Sequence, residues 1–133
     1  MTKAQFTRYA GLLYFEFLLS RKYIDHERDE NEQSNLIYLG NDSETAVLVR
    51  SVRNRNPFFL GKANKEFEFD YFAFVSIEPG PIPLVSVTSA EEAKTKAQPR
   101  PDHKKGDTDL WLGCEYVDFS KGISALLNFS EVG

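Results

Sequence analysis

One cysteine and two histidines in 133 residues leave little room for chemistry built on sulfur and imidazole. Cys114 has no second cysteine with which to close an intrachain disulfide, and with His26 and His103 it forms no zinc-ligand spacing. A reducing, cytoplasmic setting fits that composition. No apolar run approaches the roughly 20 residues that a membrane-spanning helix needs, and no small-residue cleavage site follows the first segment, so neither a membrane span nor a signal peptide is expected. Glycine-rich phosphate cradles are lacking as well, because "GNDSE" and "PGPIP" have the composition of turns. Positive charge is not in excess. The formal net charge of −4 argues against broad, sequence-independent affinity for polyanions, which depends on Lys and Arg neutralising phosphates.

What is present is a core. Hydrophobic residues make up 41% of the chain and aromatics 14%, mostly Phe and Tyr, enough to fill the space between a sheet and helices. The length fits one domain, 1–133. "TKAQFTRYAGLLYFEFLLSRKYI" has Thr2 and Gln5 at capping-box spacing and a wide apolar face (Phe6, Tyr9, Leu13 and Phe17, with Leu12, Phe15 and Leu19), which predicts a largely buried first helix. Gly11 inside it costs roughly 1 kcal/mol relative to alanine, which points to a close packing contact. The polar stretch 25–34 reads as a loop. "NLIYLG", "ETAVLVRSV", "FEFDYFAFVSIE" and "LVSVTS" read as strands, "RNRNPFFLGKANKE" as a loop between the second and third. Ser89 and Glu92 open a short helix. A flexible loop is expected at 98–109, then a strand at "LWLGCEYVDF" and a helix at "SKGISALLNF". The fold class is α+β: one mixed sheet of four to five strands, an N-terminal helix and shorter C-terminal helices.

The order of these segments, with "LLSRKYI", "NLIYLG", "VLVRS", "DYFAFVSIE" and "PLVSVTSAEEA" in succession, resembles the PD-(D/E)XK nuclease-like superfamily over about residues 6–93. The resemblance implies a site where carboxylates from the first helix and two strands hold Mg²⁺ and a lysine assists the attacking water. Its four positions fall near Gly11, and on Asn35, Leu48 and Arg50. None of these is a carboxylate, and an arginine stays protonated where a lysine could act as a base. Glu16 lies about 140° round the helix from Gly11, and Asp42, Glu44 and Asp70 are the remaining acids from which a displaced site could be drawn. The expectation is therefore a pseudo-nuclease, with no catalytic residue, metal or cofactor.

Such degenerate members imply a binding protein in a prokaryotic or phage conflict setting: an inhibitor, immunity protein or accessory subunit with a protein partner. The acidic residues Asp25, Glu27, Asp29 and Glu30, with Phe59, are the expected partner surface. A homodimer is compatible with an apolar patch at Phe58-Phe59. The first alternative is a nucleic-acid binder using Arg50, Arg53, Arg55, Lys62 and Lys65 with Phe58 among them, helped by the segment 100–105, since cations suit phosphates and rings suit unstacked bases. The second is a metal-dependent nuclease with relocated ligands. Cys114, on an apolar stretch with no base nearby in sequence, reads as an inert thiol.

Overall fold

A computed structural model describes residues 1–40, 44–102 and 107–131. Helix α1 spans Lys3–Arg21, and its capping box closes as the sequence requires: Thr2 Oγ1 accepts from Gln5 N–H at 3.1 Å while Gln5 Oε1 accepts from Thr2 N–H at 2.8 Å. Strand β1 (His26–Arg28) and a single 3₁₀ turn at Glu32–Ser34 occupy the stretch expected to be a loop. Strands β2 (Leu36–Leu39), β3 (Thr45–Arg53), β4 (Phe58–Lys62), β5 (Tyr71–Ile77) and β6 (Leu84–Ser89) follow, then α2 (Ala90–Lys96), β7 (Gln98–Asp102) and β8 (Asp107–Leu112). The chain ends in 3₁₀ turns, including Ser124–Phe129 where an α-helix was expected.

The main sheet has the order β1-β2-β3-β5-β6, with β3 and β5 parallel and every other pair antiparallel. A parallel pair needs a crossover. Here the crossover carries β4 into a second, antiparallel sheet of order β4-β8-β7. Two expectations change accordingly: "NPFFLGK" is a strand, and residues 98–102 and 107–109 pair as β7 and β8 instead of forming a loop. The part of that expected loop at 103–106 lies outside the described residues.

Strands β3 and β5 are buried on both faces and so divide two cores. Val47, Val49, Ala73 and Val75 pack with Leu12, Phe15 and Leu19 of α1 and with Ile123 and Leu126. On the opposite face Leu48, Phe72 and Phe74 meet Phe58, Leu60, Leu110 and Leu112 of the small sheet and Ala90 and Ala93 of α2. The result is three layers: α1 with the C-terminal turns, the main sheet, and the small sheet with α2.

Helix α1 is only half as buried as its composition suggests. Thr7, Gly11, Leu12, Phe15 and Leu19 face the sheet, whereas Phe6 (54% exposed), Leu13 (48%) and Phe17 (52%) form a second apolar stripe in solvent. The Gly11 contact is as close as the sequence implied, since a Cβ there would sit 1.8 Å from Ser51 Oγ.

Candidate anion-binding pocket

Strand β3 outruns its neighbour. Leu36 pairs with Leu48, and Val49 N–H donates to the Asn35 carbonyl at 2.9 Å, after which β2 ends. Alternation along the strand turns the Ser51 peptide group to the same side as that of Val49, toward the edge that β2 has left open. Asn54 N–H, on the other phase, still bonds Ile77 O of β5 at 3.0 Å.

At this open edge lies a cavity of about 270 Å³ where four elements and their flanking turns meet. Arg8 reaches it from α1, Asn35 from the entry to β2, and Arg50, Ser51 and Val52 from β3; Pro57, Phe58 and Phe59 from the β4 side and Trp111 from β8 complete the wall. Asn35 takes a left-handed backbone (φ 60°) that asparagine tolerates, and this ends the 3₁₀ turn at Ser34.

Among the described residues the lining holds two guanidinium groups and no carboxylate. Burial lowers the pKa of Arg50 from its ordinary value. Glu66 and Glu68 border a wider groove on another side of Arg50, yet neither pairs with it. Arg50 Nε is buried without a hydrogen-bond partner, and so are Asn35 Oδ1 and Ser51 Oγ in the same wall. A buried polar atom without a partner is costly, and Arg50 Nε is such an atom on a cation.

Aromatic rings extend the site outward. The Arg50 guanidinium lies 5.5 Å from the Phe59 ring centroid, Phe59 lies 5.3 Å from Trp111, and Arg100 of β7 covers the other end at 5.6 Å from Trp111. A cation stands at each end of this pair of rings, an arrangement in which each cation meets the negative face of a ring.

Most of the expected basic set is engaged elsewhere. Arg53 donates from Nε to Thr7 Oγ1 at 2.7 Å, Arg55 pairs with Glu78 at 2.8 Å, and Lys62 pairs with Asp109. Lys65 borders the wider groove. Only Arg50 and Phe58 of that set reach the pocket, and Phe58 is fully buried, so it contributes wall and not an exposed patch. That removes Phe58 from the surface on which a homodimer was argued. The expected partner surface is also dispersed: Asp29 accepts from Tyr38 (2.9 Å), Ser34 (3.1 Å) and Asn31 N–H (3.2 Å), while Phe59 belongs to the small sheet. Asp25, Glu27 and Glu30 remain exposed.

Glu16 and Asp70, among the acids considered for a relocated metal site, are likewise occupied. Glu16 binds Arg28, Asp70 accepts from Ala46 N–H at 2.9 Å, and Asp42 lies outside the described residues. Among the described residues no three His, Cys, Asp or Glu side chains converge as metal ligands. Cys114 belongs to a 3₁₀ turn, its thiol 3.4 Å from the Asn56 carbonyl, and burial pushes its pKa up. Sequence reasoning did not find Arg8, Ser51 or Trp111 as site residues. The one available signal was an arginine inside an otherwise apolar strand, which asks for a partner.

Compared with models of known families, with curated proteins and with solved structures, the chain matches none.

Proposed function

We propose that this protein works by binding, and that its pocket at the end of β3 receives a phosphate of single-stranded nucleic acid. The observation that carries this reading is the half-buried Arg50 guanidinium, its Nε buried without a partner, in a wall that holds no acid among the described residues. Arg8 adds a second charge, and Phe59 and Trp111 offer faces on which unpaired bases stack. A duplex keeps its bases stacked inside and cannot use those rings. The position of the pocket supports a nuclease-like core turned to recognition. Asn35 and Arg50, two of the four positions to which that resemblance carries metal chemistry, share one cavity, and Gly11 packs on Ser51 beside them. Cationic and amide groups there suit an anion, where carboxylates would suit Mg²⁺.

Trp111 is the only tryptophan in the chain, so its fluorescence reports on the site directly. Titration with a single-stranded oligonucleotide at low salt should quench it, with affinity falling steeply as salt rises. Arg50→Ala should weaken binding at least tenfold, and a duplex of the same sequence should bind less well. Unchanged fluorescence together with no binding at low salt rejects the reading.

A second reading is a protein contact, as for an inhibitor, immunity protein or accessory subunit in a prokaryotic or phage conflict system. The exposed stripe of Phe6, Leu13 and Phe17 on α1 favours it, because side chains of that size at helical spacing suit a protein surface. Retention of a single host protein by the wild-type chain, lost when Leu13 and Phe17 become serine, would support it.

A further inference from the structure

The outer face of α1 has the spacing of a helix that lies along another helix. Lys3, Phe6, Ala10, Leu13, Phe17 and Ser20 follow one another at intervals of three, four, three, four and three. That alternation is the seam of a two-helix packing, repeated every seven residues. Its four inner positions are apolar. Phe6, Leu13 and Phe17 are each about half exposed, Ala10 lies between them, and Tyr9 (44% exposed) flanks them.

The seam also fits itself when turned end for end. Its centre lies between Gly11 and Leu12, so on an antiparallel second copy Phe6 meets Phe17, a pair of rings, and the small Ala10 meets the larger Leu13. The cations at the two ends, Lys3 and Arg21, then meet the hydroxyl residues Ser20 and Thr2. A parallel pairing would set Ala10 on Ala10, leaving a gap, and Lys3 on Lys3, a like-charge contact. Antiparallel helices also bring the positive end of each macrodipole to the negative end of the other.

We infer that the protein forms a twofold-symmetric dimer in which the outer faces of two α1 helices pack antiparallel, Phe6 on Phe17 and Ala10 on Leu13. Both copies use one patch, as a closed twofold interface requires. Its extent sets its strength. Three half-exposed rings at about 100 Å² each, with Leu13, give about 400 Å² of apolar surface per copy. Two copies bury about 800 Å² before the rim is counted, short of the roughly 1,600 Å² of a standard interface. The dimer is accordingly weak, with Kd on the order of 100 µM, and a urea titration at low micromolar protein reads the monomer. Arg8, which lines the pocket, lies about 160° round the helix from Phe6. Dimerisation therefore leaves the pocket open, and this inference stands or falls apart from the nucleic-acid reading.

Sedimentation equilibrium up to about 1 mM protein tests it. A monomer–dimer equilibrium is expected, little changed by salt, whereas oligonucleotide binding falls steeply with salt. Joint Leu13→Ser and Phe17→Ser should weaken it at least tenfold while leaving the far-UV circular dichroism unchanged. Ala10→Glu and Leu13→Lys should each be monomeric alone and associate when mixed, because the antiparallel seam sets the new acid on the new base. A wild-type protein that stays monomeric throughout overturns the inference, including one whose stripe instead retains a host protein. So does a dimer that survives the joint serine substitutions. A dimer that those substitutions abolish but mixing does not restore overturns the antiparallel register.

Discussion

Gly11 sits where α1 crosses β3, and its missing side chain sets the distance between them. A methyl group there would lie 1.8 Å from Ser51 Oγ and 2.7 Å from Ser51 Cβ, so either the helix must rise or the strand must give way. Overpacking of this kind costs about 1–3 kcal/mol. Gly11→Ala should lower the unfolding free energy from urea titration by that amount, and pairing it with Ser51→Gly should recover part of the loss. Because Ser51 also lines the pocket, the single variant should weaken oligonucleotide binding as well. Asp29 offers a residue-scale prediction with a pH sign. Its carboxyl pKa is held below the usual range, first by the hydrogen bond from Tyr38 and then by those from Ser34 and the Asn31 amide, while the same pairing raises the Tyr38 pKa. A depressed acid stabilises the fold above its unfolded pKa, and that contribution is lost as pH falls through the folded value. Tyr38→Phe should therefore move the Asp29 carboxyl shift titration upward by NMR and flatten the acid side of the stability profile.

At the scale of the element, α1 is apolar nearly all the way round, yet its two faces have different roles. Phe15 is fully buried among Leu12, Leu19 and the β3 and β5 valines, while Leu13 and Phe17 are about half exposed on the outer stripe. Phe15→Ala should cost about 3–5 kcal/mol, as for other buried aromatics truncated in a core. Leu13→Ser and Phe17→Ser should change stability by no more than about 0.5 kcal/mol. Urea titration of the three variants would distinguish the faces. Periodicity revealed the helix but not its exposed stripe, since a wide apolar arc signals burial only if something is present to cover it. The same limit applies to the small sheet. Its edge strands β4 and β7 have the composition of loops: "QPRPD" carries two prolines, tolerated because an edge strand has one side free of ladder bonds, and "FFLGK" is short and interrupted by Gly61. Apolar runs revealed β2, β3, β5 and β6, and the Ser89 cap revealed α2, because those signals are local. "SKGISALLNF" read as α-helix with Ile123, Leu126 and Leu127 inward; a 3₁₀ turn serves the spacing of the first two as well, and it leaves Leu127 45% exposed.

The pocket exists only at the scale of the whole molecule. Arg8, Asn35, Arg50 and Trp111 are far apart in the chain and come from α1, the start of β2, β3 and β8, so no sequence window contains them. Arg50 could be found because its charge conflicts with the apolar strand around it; Arg8 and Trp111 conflict with nothing local. The same junction makes a prediction about cooperativity. Strands β3 and β5 send alternate side chains to the α1 core and to the core beneath the small sheet, and Phe72 and Phe74 stack at 5.1 Å within the second. Neither core can lose β3 or β5 without exposing the other. Urea unfolding should accordingly be one transition, with Trp111 fluorescence in the small sheet and far-UV circular dichroism of the whole chain sharing a midpoint. If the small sheet were an independent unit, fluorescence would change at lower urea than the dichroism. An oligonucleotide at about 100 times its Kd should raise stability by about 2.7 kcal/mol. It should move both probes together, because the walls it bridges belong to every layer.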